Sequence, residues 1–174
     1  MRIRPASRTD APAIGTMHAQ AWTETYRGLV PDALFAEMSD PALRRAAWAR
    51  NLVQPLLPEG TFLAEDEHGV AGFVTVCAAR EASLGAAGEV AGLYLLRRAQ
   101  RRGIGTALLR QGAARLLAAG HASAGAWVLD ANAPARAFYV ATGARPGTSQ
   151  VGYHGQVAIE ETAHVWPDLH ALVP

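Results

Sequence analysis

The sequence contains no lysine, only one cysteine and no apolar run long enough to cross a membrane. All 16 basic residues are arginine, and they exceed the 15 acidic residues by one. The chain therefore lacks the overall positive excess that is typical of nucleic-acid-binding proteins. The single Cys77 excludes an intramolecular disulfide and is typical of a reducing compartment. With no signal-like segment near Met1, we expect a cytoplasmic protein with neither nucleic acid nor membrane as partner.

The length and composition favour one globular domain. A chain of 174 residues fits one domain, and 50% hydrophobic residues can build a substantial core. Neither an internal repeat nor a flexible linker divides it. We therefore expect a single domain over residues 1–174.

Hydrophobic periodicity and turn residues predict strands and helices in mixed order. Strands are predicted over residues 2–6, 61–65, 70–78, 89–95, 126–129 and 157–164. Thr9 is the predicted cap of a first helix that ends near residues 26–28. A second helical region covers residues 31–53, with an interruption at 39–41, and Pro55 and Pro58 close it. Further helices are predicted over 103–119 and 134–142, which makes the fold class α/β.

A segment rich in arginine and glycine follows the predicted strand 89–95. Residues 97–102 contain four arginines and no acidic residue, and Gly103 and Gly105 open the next helix. Glycine lets the backbone approach a bulky anion, and the first N–H groups of a helix have no partner within it. The segment therefore predicts a binding site for a polyanion such as a phosphate group.

Two common nucleotide motifs fit this segment less well. The dinucleotide fingerprint has a third glycine, and here Leu108 stands at that position. The nucleoside triphosphate loop has a lysine followed by serine or threonine, which this segment also lacks. The neighbouring motifs are therefore needed to identify the phosphate compound that binds.

Two segments together resemble the signature motifs of the GNAT superfamily of acetyl-CoA-dependent N-acetyltransferases. Residues 100–105, with the pattern Q-x-x-G-x-G, are similar to the pyrophosphate-binding motif of that family. Residues 132–143 resemble its N-x-x-A-x-x-F-Y-x-x-x-G motif. Residues 18–31 are also similar to a bacterial branch of unassigned small-molecule acetyltransferases. Two motifs in the expected order are far more specific than either alone.

The resemblance implies a single-domain GNAT fold with acetyl-CoA as cofactor. Its central sheet would be mixed, mostly antiparallel and flanked by helices, and it would splay between strands 89–95 and 126–129. Leu93 and Leu95, with Tyr94 between them, would then offer backbone groups to the pantetheine arm. The N–H of Leu95 would also stabilise the oxyanion of the reaction. The pyrophosphate would lie beside Gln100 and the amides of Arg101, Arg102, Gly103, Ile104, Gly105 and Thr106.

The resemblance also suggests the groups that move protons. An amine must lose its proton before it attacks, so a general base is required. Glu89 stands where some family members carry a catalytic glutamate, although a solvated acid at the start of a strand fits equally well; Glu24 is the second candidate. Tyr139 is the candidate acid for the leaving thiolate, because a phenol with its usual pKa of about 10 keeps its proton at neutral pH. Asn132 either binds pantetheine or caps the following helix.

The acceptor is expected to be a primary amine of a small molecule or peptide. Trp22, Glu24 and Tyr26 are the candidate acceptor-binding residues, with ordinary packing as the alternative for Trp22. Cys77 lies in mid-strand without a histidine nearby in sequence, so a core thiol and direct transfer in a ternary complex are expected. The six histidines show no metal-binding spacing, and we expect no metal site. A non-catalytic acyl-CoA-binding module is the alternative function, and the sequence leaves the formation of a homodimer open.

Overall fold

The computed structural model describes residues 1–53 and 60–173, whose strands form one seven-stranded sheet. The strands are β1 (Arg2–Pro5), β2 (Gly60–Asp66), β3 (Gly69–Ala78), β4 (Gly88–Leu95), β5 (Ala124–Leu129), β6 (Arg145–His154) and β7 (Val157–Trp166). The helices are α1 (Ala11–Tyr26), α2 (Asp32–Met38), α3 (Pro41–Val53), α4 (Ile104–Ala118) and α5 (Ala133–Ala141). The strand order is β1-β2-β3-β4-β5-β7-β6, and each neighbouring pair is antiparallel except β4 with β5. The predicted mixed and mostly antiparallel sheet is confirmed.

Helices cover both faces of the sheet because its central strands are apolar on both sides. Along β3, Phe73 faces the cluster formed with α1 and α3, which includes Ile14 and Trp48. Its neighbour Val74 faces the opposite cluster, which includes Leu108 of α4. Each large apolar side chain buried in this way contributes roughly 1.5–3 kcal/mol. This packing fixes β3 and β4 as a rigid support for the rest of the molecule.

The sheet opens between β4 and β5. These parallel strands pair only at Gly88 with Ala124 and at Glu89 with Gly125, and then separate. On its other side β4 stays paired with β3, where the N–H of Leu96 donates to the carbonyl of Ala71 at 2.9 Å. Because antiparallel hydrogen bonds alternate along a strand, the backbone groups of Leu93 and Leu95 face away from β3, into the opening. The predicted splay is therefore confirmed.

The first helix begins differently from the prediction. Thr9 was the predicted cap, but it lies within a short 3₁₀ turn over Arg8–Asp10, and α1 starts at Ala11. The Asp10 carboxylate accepts from the Ser7 N–H at 2.7 Å and from the Arg4 guanidinium at 2.7 Å. Asp10 thus occupies the N-cap position predicted for Thr9, although its carboxylate bonds Ser7 and Arg4 and makes no side-chain bond to the first turn of α1. The Thr9 hydroxyl contacts only that of Ser7, at 2.9 Å.

Strand β6 is absent from the sequence prediction. It is an edge strand whose residues are mostly exposed and include Pro146, Gly147 and Gly152, so it lacks the alternation of a half-buried strand.

The predicted interruption of the second helical region is confirmed between Met38 and Pro41. Pro55 and Pro58 lie outside the described residues. Within the described part of the chain, no helix combines the length and the apolar character needed to cross a membrane.

Candidate active site

The opening between β4 and β5 forms a cleft of about 670 Å³. Its wall contains the end of α1, the segment after β4, and parts of β5 and α5. The predicted site residues that line it are Glu24, Tyr26, Leu93, Tyr94, Leu95, Gln100, Arg101, Gly103, Gly105, Thr106, Asn132 and Tyr139. Four other predicted site residues lie outside this lining, namely Trp22, Glu89, Arg102 and Ile104. The structure thus brings most of the predicted residues to one place.

The segment between β4 and α4 presents a row of free backbone N–H groups. Arg101 has φ 59° and Gly103 has φ 76°, both in the left-handed region, and these angles turn the chain into α4. No acceptor among residues 1–53 and 60–173 engages the backbone N–H groups of residues 101–106. The first bond of α4 runs from the Ala107 N–H to the Gly103 carbonyl at 3.0 Å. Free amides at a helix N-terminus attract anions, so this turn suits a phosphate group.

Arg102 and Ile104, the two predicted residues of this turn that do not line the cleft, direct their side chains elsewhere. The Ile104 side chain is 6% exposed and belongs to the core cluster that includes Val74 of β3, which anchors the start of α4. The Arg102 guanidinium contacts the Arg98 carbonyl at 3.5 Å. Their backbone amides remain part of the free row, so any bond from them to a ligand comes from the main chain.

Gln100 joins the turn to the end of β4. Its side-chain amide donates to the carbonyl of Leu95 at 3.1 Å. This bond occupies the Leu95 carbonyl, while the Leu95 N–H remains directed into the opening. Gln100 therefore supports the strand end in addition to lining the cleft.

Tyr139 lies on the α5 side of the cleft, in a largely buried position. Its ring packs edge-on against Trp166, with centroids 5.3 Å apart. Burial raises the pKa of the Tyr139 phenol well above its ordinary value, and the nearby Tyr26 raises it further. The phenol therefore stays protonated at neutral pH.

Asn132 connects α5 to α1 across the cleft. Its side-chain oxygen accepts from the Ala135 N–H at 3.2 Å, which confirms the capping alternative for this residue. Its amide nitrogen donates to the Tyr26 hydroxyl at 3.4 Å. Asn132 thereby fixes the side chain of Tyr26 in the wall of the cleft.

Aromatic side chains build the wall beneath the end of α1. Trp22 is 4% exposed, belongs to a cluster with Val30 and Leu34, and stacks on Tyr26 with ring centroids 4.1 Å apart. Burial raises the pKa of the Tyr94 phenol, which lies beside Tyr26. Trp22 thus supports a wall whose inner surface is formed by the two tyrosines.

The two candidate bases differ in position. Glu24 lines the cleft, and its carboxylate accepts from the Arg97 backbone N–H at 2.7 Å and from the Gln20 side chain at 2.8 Å. Glu89 is buried where β4 and β5 begin to separate, and Arg80 holds both of its carboxylate oxygens. Nothing in the sequence pointed to Arg80, which lies nine residues earlier in the loop between β3 and β4. The structure therefore does not bring Glu89 to the wall of the cleft.

The remaining sulfur and imidazole groups do not form a site. Cys77 is 2% exposed at the penultimate position of β3, which agrees with the predicted core thiol. His18 is buried and accepts a hydrogen bond from the Trp48 indole at 3.1 Å. Among the residues that the structure describes, no three His, Cys, Asp or Glu side chains gather as metal ligands.

Comparisons with known proteins agree with this geometry. Residues 19–144 match the model of the acetyltransferase (GNAT) family. The uncharacterized N-acetyltransferase YuaI of Bacillus subtilis is 32% identical over 171 residues, which cover 98% of this chain and 95% of that protein.

Solved structures share the fold at low sequence identity. The PaiA N-acetyltransferase of Thermoplasma acidophilum, in complex with coenzyme A, has a TM-score of 0.67 and 19% identity, covering 92% of this chain and 96% of that one. YncA of Salmonella typhimurium, with its cofactor acetyl-CoA, has a TM-score of 0.70 and 19% identity, covering 97% of this chain and 93% of that one. The family match, the 32% identical relative and the splayed sheet together show that the chain belongs to the GNAT family of acetyltransferases.

Proposed function

We propose that the protein transfers an acetyl group from acetyl-CoA to a primary amine of a small molecule or peptide. The observation that carries the proposal is two sets of free main-chain groups along the cleft, at Leu93 and the Leu95 N–H on β4 and at the N–H groups of residues 101–106 before α4. A diphosphate attached to a chain of amides is complementary to such a row. The shared fold of the structures that hold coenzyme A or acetyl-CoA supports the same ligand.

The proposed reaction is direct attack in a ternary complex. The acceptor amine, bound near Tyr26 and Glu24, attacks the thioester carbon, and the carbonyl oxygen becomes negatively charged. The N–H of Leu95 stabilises that oxyanion, a contact worth about 3 kcal/mol in other enzymes. The carbon–sulfur bond then breaks, and Tyr139 gives its phenolic proton to the thiolate of coenzyme A.

A carboxylate takes the proton from the acceptor amine, and Glu89 remains the first candidate, acting through water from the closed end of the cleft. Glu24 is the alternative, supported by its place in the cleft wall. Replacing each by glutamine keeps the shape and removes the base. We expect Glu89→Gln to lower kcat by about 100-fold or more, and Glu24→Gln to lower it less. A larger loss in Glu24→Gln would instead assign the base to Glu24.

Two measurements test the proposed function as a whole. Acetyl-CoA should raise the melting temperature of the protein, because a ligand that binds only the folded state stabilises it. Thiol release should then follow on addition of at least one amine from a panel of polyamines, amino acids, aminoglycosides and peptides. Stabilisation without turnover on any amine would support the non-catalytic acyl-CoA-binding module, and no stabilisation would contradict the cofactor.

The same proposal includes the setting of the enzyme. We propose that residues 1–174 act as one N-acetyltransferase domain in the bacterial cytoplasm, where a reduced Cys77 is expected. Analytical ultracentrifugation of the purified chain would decide between a monomer and the homodimer that the sequence leaves open.

A further inference from the structure

An arginine–glutamate pair stands at the closed end of the cleft. The Glu89 side chain is 3% exposed, whereas that of Arg80 is 58% exposed. Arg80 donates from its backbone N–H and its Nε to one carboxylate oxygen, at 3.2 and 3.0 Å, and from Nη2 to the other. A planar guanidinium fork that engages both oxygens fixes the plane of a carboxylate as well as its position.

The pair lies where β4 and β5 separate and divide the sheet into two arms, one formed by β1 to β4 and the other by β5, β7 and β6. Glu89 is in the last residue pair between β4 and β5, and the next residue, Val90, lines the cleft. Gly88 faces Leu116 of α4, and successive residues of a strand alternate faces. The Glu89 side chain therefore lies on the opposite face of the sheet, the one that α1 covers and where Tyr26 and Glu24 enter the cleft.

The loop that carries Arg80 is held to both arms. The Ala79 N–H donates to the Ala87 carbonyl at 2.9 Å, which closes the loop at the end of β3. Leu84 packs against Gly125 of β5, where an added Cβ would lie 2.7 Å from the leucine. The Gln150 side chain of β6 donates to Glu81 at 3.3 Å and is contacted by Ser83 at 3.5 Å. Arg80 therefore has a fixed backbone from which to hold Glu89.

We propose that Arg80 is a positioning residue that fixes the orientation of the Glu89 carboxylate at the closed end of the cleft, from where it takes the acceptor proton through water. This inference rests on the proposed function. The proton passes from the ammonium group to a water molecule and from it to Glu89, which becomes neutral and later releases the proton to solvent. Arg80 keeps its own proton throughout, because a guanidinium stays charged in proteins even when its partner is neutral.

A double-mutant cycle tests whether Arg80 acts through Glu89. The variants are Arg80→Gln, Arg80→Lys, Glu89→Gln and the double variant Arg80→Gln/Glu89→Gln. We expect Arg80→Gln to lower kcat at least about tenfold, with the KM for acetyl-CoA changed less than about twofold, and Arg80→Lys to recover part of the loss. In the Glu89→Gln background, Arg80→Gln should change kcat by less than about twofold, because there is no carboxylate left to orient.

A distant ion pair supplies the matched control. Arg4 holds Asp10 and Glu65 with the same kind of fork at the β1 edge of the sheet, so Arg4→Gln removes an ion pair without touching the cleft. The kcat of Arg4→Gln should equal that of the wild type. Thermal unfolding of each variant separates a loss of positioning from a loss of folded protein.

The results that would overturn the inference differ from those that would overturn the function. An unchanged kcat in Arg80→Gln, or an equal loss in the wild-type and Glu89→Gln backgrounds, contradicts the positioning role alone. If the wild-type protein binds acetyl-CoA but releases no thiol with any amine, the proposed function fails, and the role of Arg80 fails with it.

Discussion

Burial decides what the Tyr139 side chain can do. The sequence motif predicts the position of this tyrosine, but only the packing of α5 on Trp166 shows that its phenol is removed from water. The ionised form is then disfavoured and the pKa rises, so the group stays protonated over the whole working range of pH. Tyr139 therefore carries the proton that the proposed acid role requires, and its titration should set no alkaline limit on the rate below pH 10.

Replacing Tyr139 by phenylalanine should lower kcat by about 100-fold while leaving the affinity for acetyl-CoA nearly unchanged. The ring still fills its place in the core, and only the proton donor is lost. Steady-state thiol release measures kcat, and isothermal titration measures the affinity. Tyr153→Phe, at a side chain that is 71% exposed on β6, is the control. A kcat of Tyr139→Phe equal to that of the wild type would contradict the acid role.

The same physical effect acts on His18 with a consequence for stability. Burial lowers the pKa of His18 from 6.5 to about 3, and the charge of Arg44 adds to the effect. As the pH falls below 6.5, the unfolded chain binds a proton at this residue and the folded chain does not. The free energy of unfolding therefore decreases with falling pH, by up to about 1.4 kcal/mol per pH unit.

His18→Gln should flatten this dependence between pH 6.5 and about pH 4.5, a window above the usual titration range of carboxylates. Carboxylates such as Asp10, whose pKa is held low by Arg4, lose their contribution only at more acid pH. Urea unfolding at several pH values measures the slope. His68→Gln, at a side chain that is 68% exposed, is the control. An unchanged slope in His18→Gln would show that another group causes the acid sensitivity.

At the scale of elements, the turn before α4 was predictable because its conformation is encoded locally. Glycine tolerates positive φ, and the pattern Q-x-x-G-x-G places one such residue directly before the helix. At Gly103 an added Cβ would have no heavy atom of the described residues within 4 Å. The space in front of this turn is therefore open to a ligand.

Gly103→Ala should weaken acetyl-CoA binding by at least about tenfold, because the methyl group intrudes on the space assigned to the diphosphate. The left-handed φ also costs about 1–2 kcal/mol with any side chain. Gly155→Ala is the matched control, because Gly155 also has a positive φ, of 60°, but lies in the turn between β6 and β7. Isothermal titration should show weaker binding only in Gly103→Ala, and equal affinities would show that the turn does not bind the diphosphate.

The contact of α1 with α3 depends on another glycine. A Cβ at Gly15 would lie 2.5 Å from the backbone of Arg45, so the two helices touch at this point. Intrinsic helix propensity favours alanine by about 1 kcal/mol, whereas overpacking costs about 1–3 kcal/mol. Because rigid backbone opposes the methyl group, we expect Gly15→Ala to lower the free energy of unfolding. Urea unfolding measures the free energy, and a stabilised Gly15→Ala would contradict the close approach.

The elements that the sequence did not predict depend on distant contacts. Strand β6 is held by its pairing with β7, and its own residues carry little strand signal. The start of α1 depends on Arg4, which fixes Asp10 from β1. Arg80 was missed for the same reason, because its partner Glu89 becomes a neighbour only when β3 and β4 pair. Local motifs therefore predicted the cofactor side of the cleft better than its closed end.

At the scale of the whole molecule, the cleft exists because β4 and β5 separate within a sheet that is otherwise continuous. β4 stays paired with β3 on one side and offers its other edge, while β5 diverges and carries α5 with Tyr139 to the far wall. The end of α1 spans the two arms through Glu24 with Arg97 and Tyr26 with Asn132. The cofactor is thus expected to bind mainly to main-chain groups, and the acceptor to the side chains above them.

A crystal structure of the protein with acetyl-CoA tests this account most directly. We predict hydrogen bonds of about 2.7–3.2 Å from the N–H groups of residues 101–106 to the diphosphate, between the backbone of Leu93 and the pantetheine amides, and from the Leu95 N–H to the thioester carbonyl. Acetyl-CoA bound at another surface, with the cleft between β4 and β5 vacant, would contradict it.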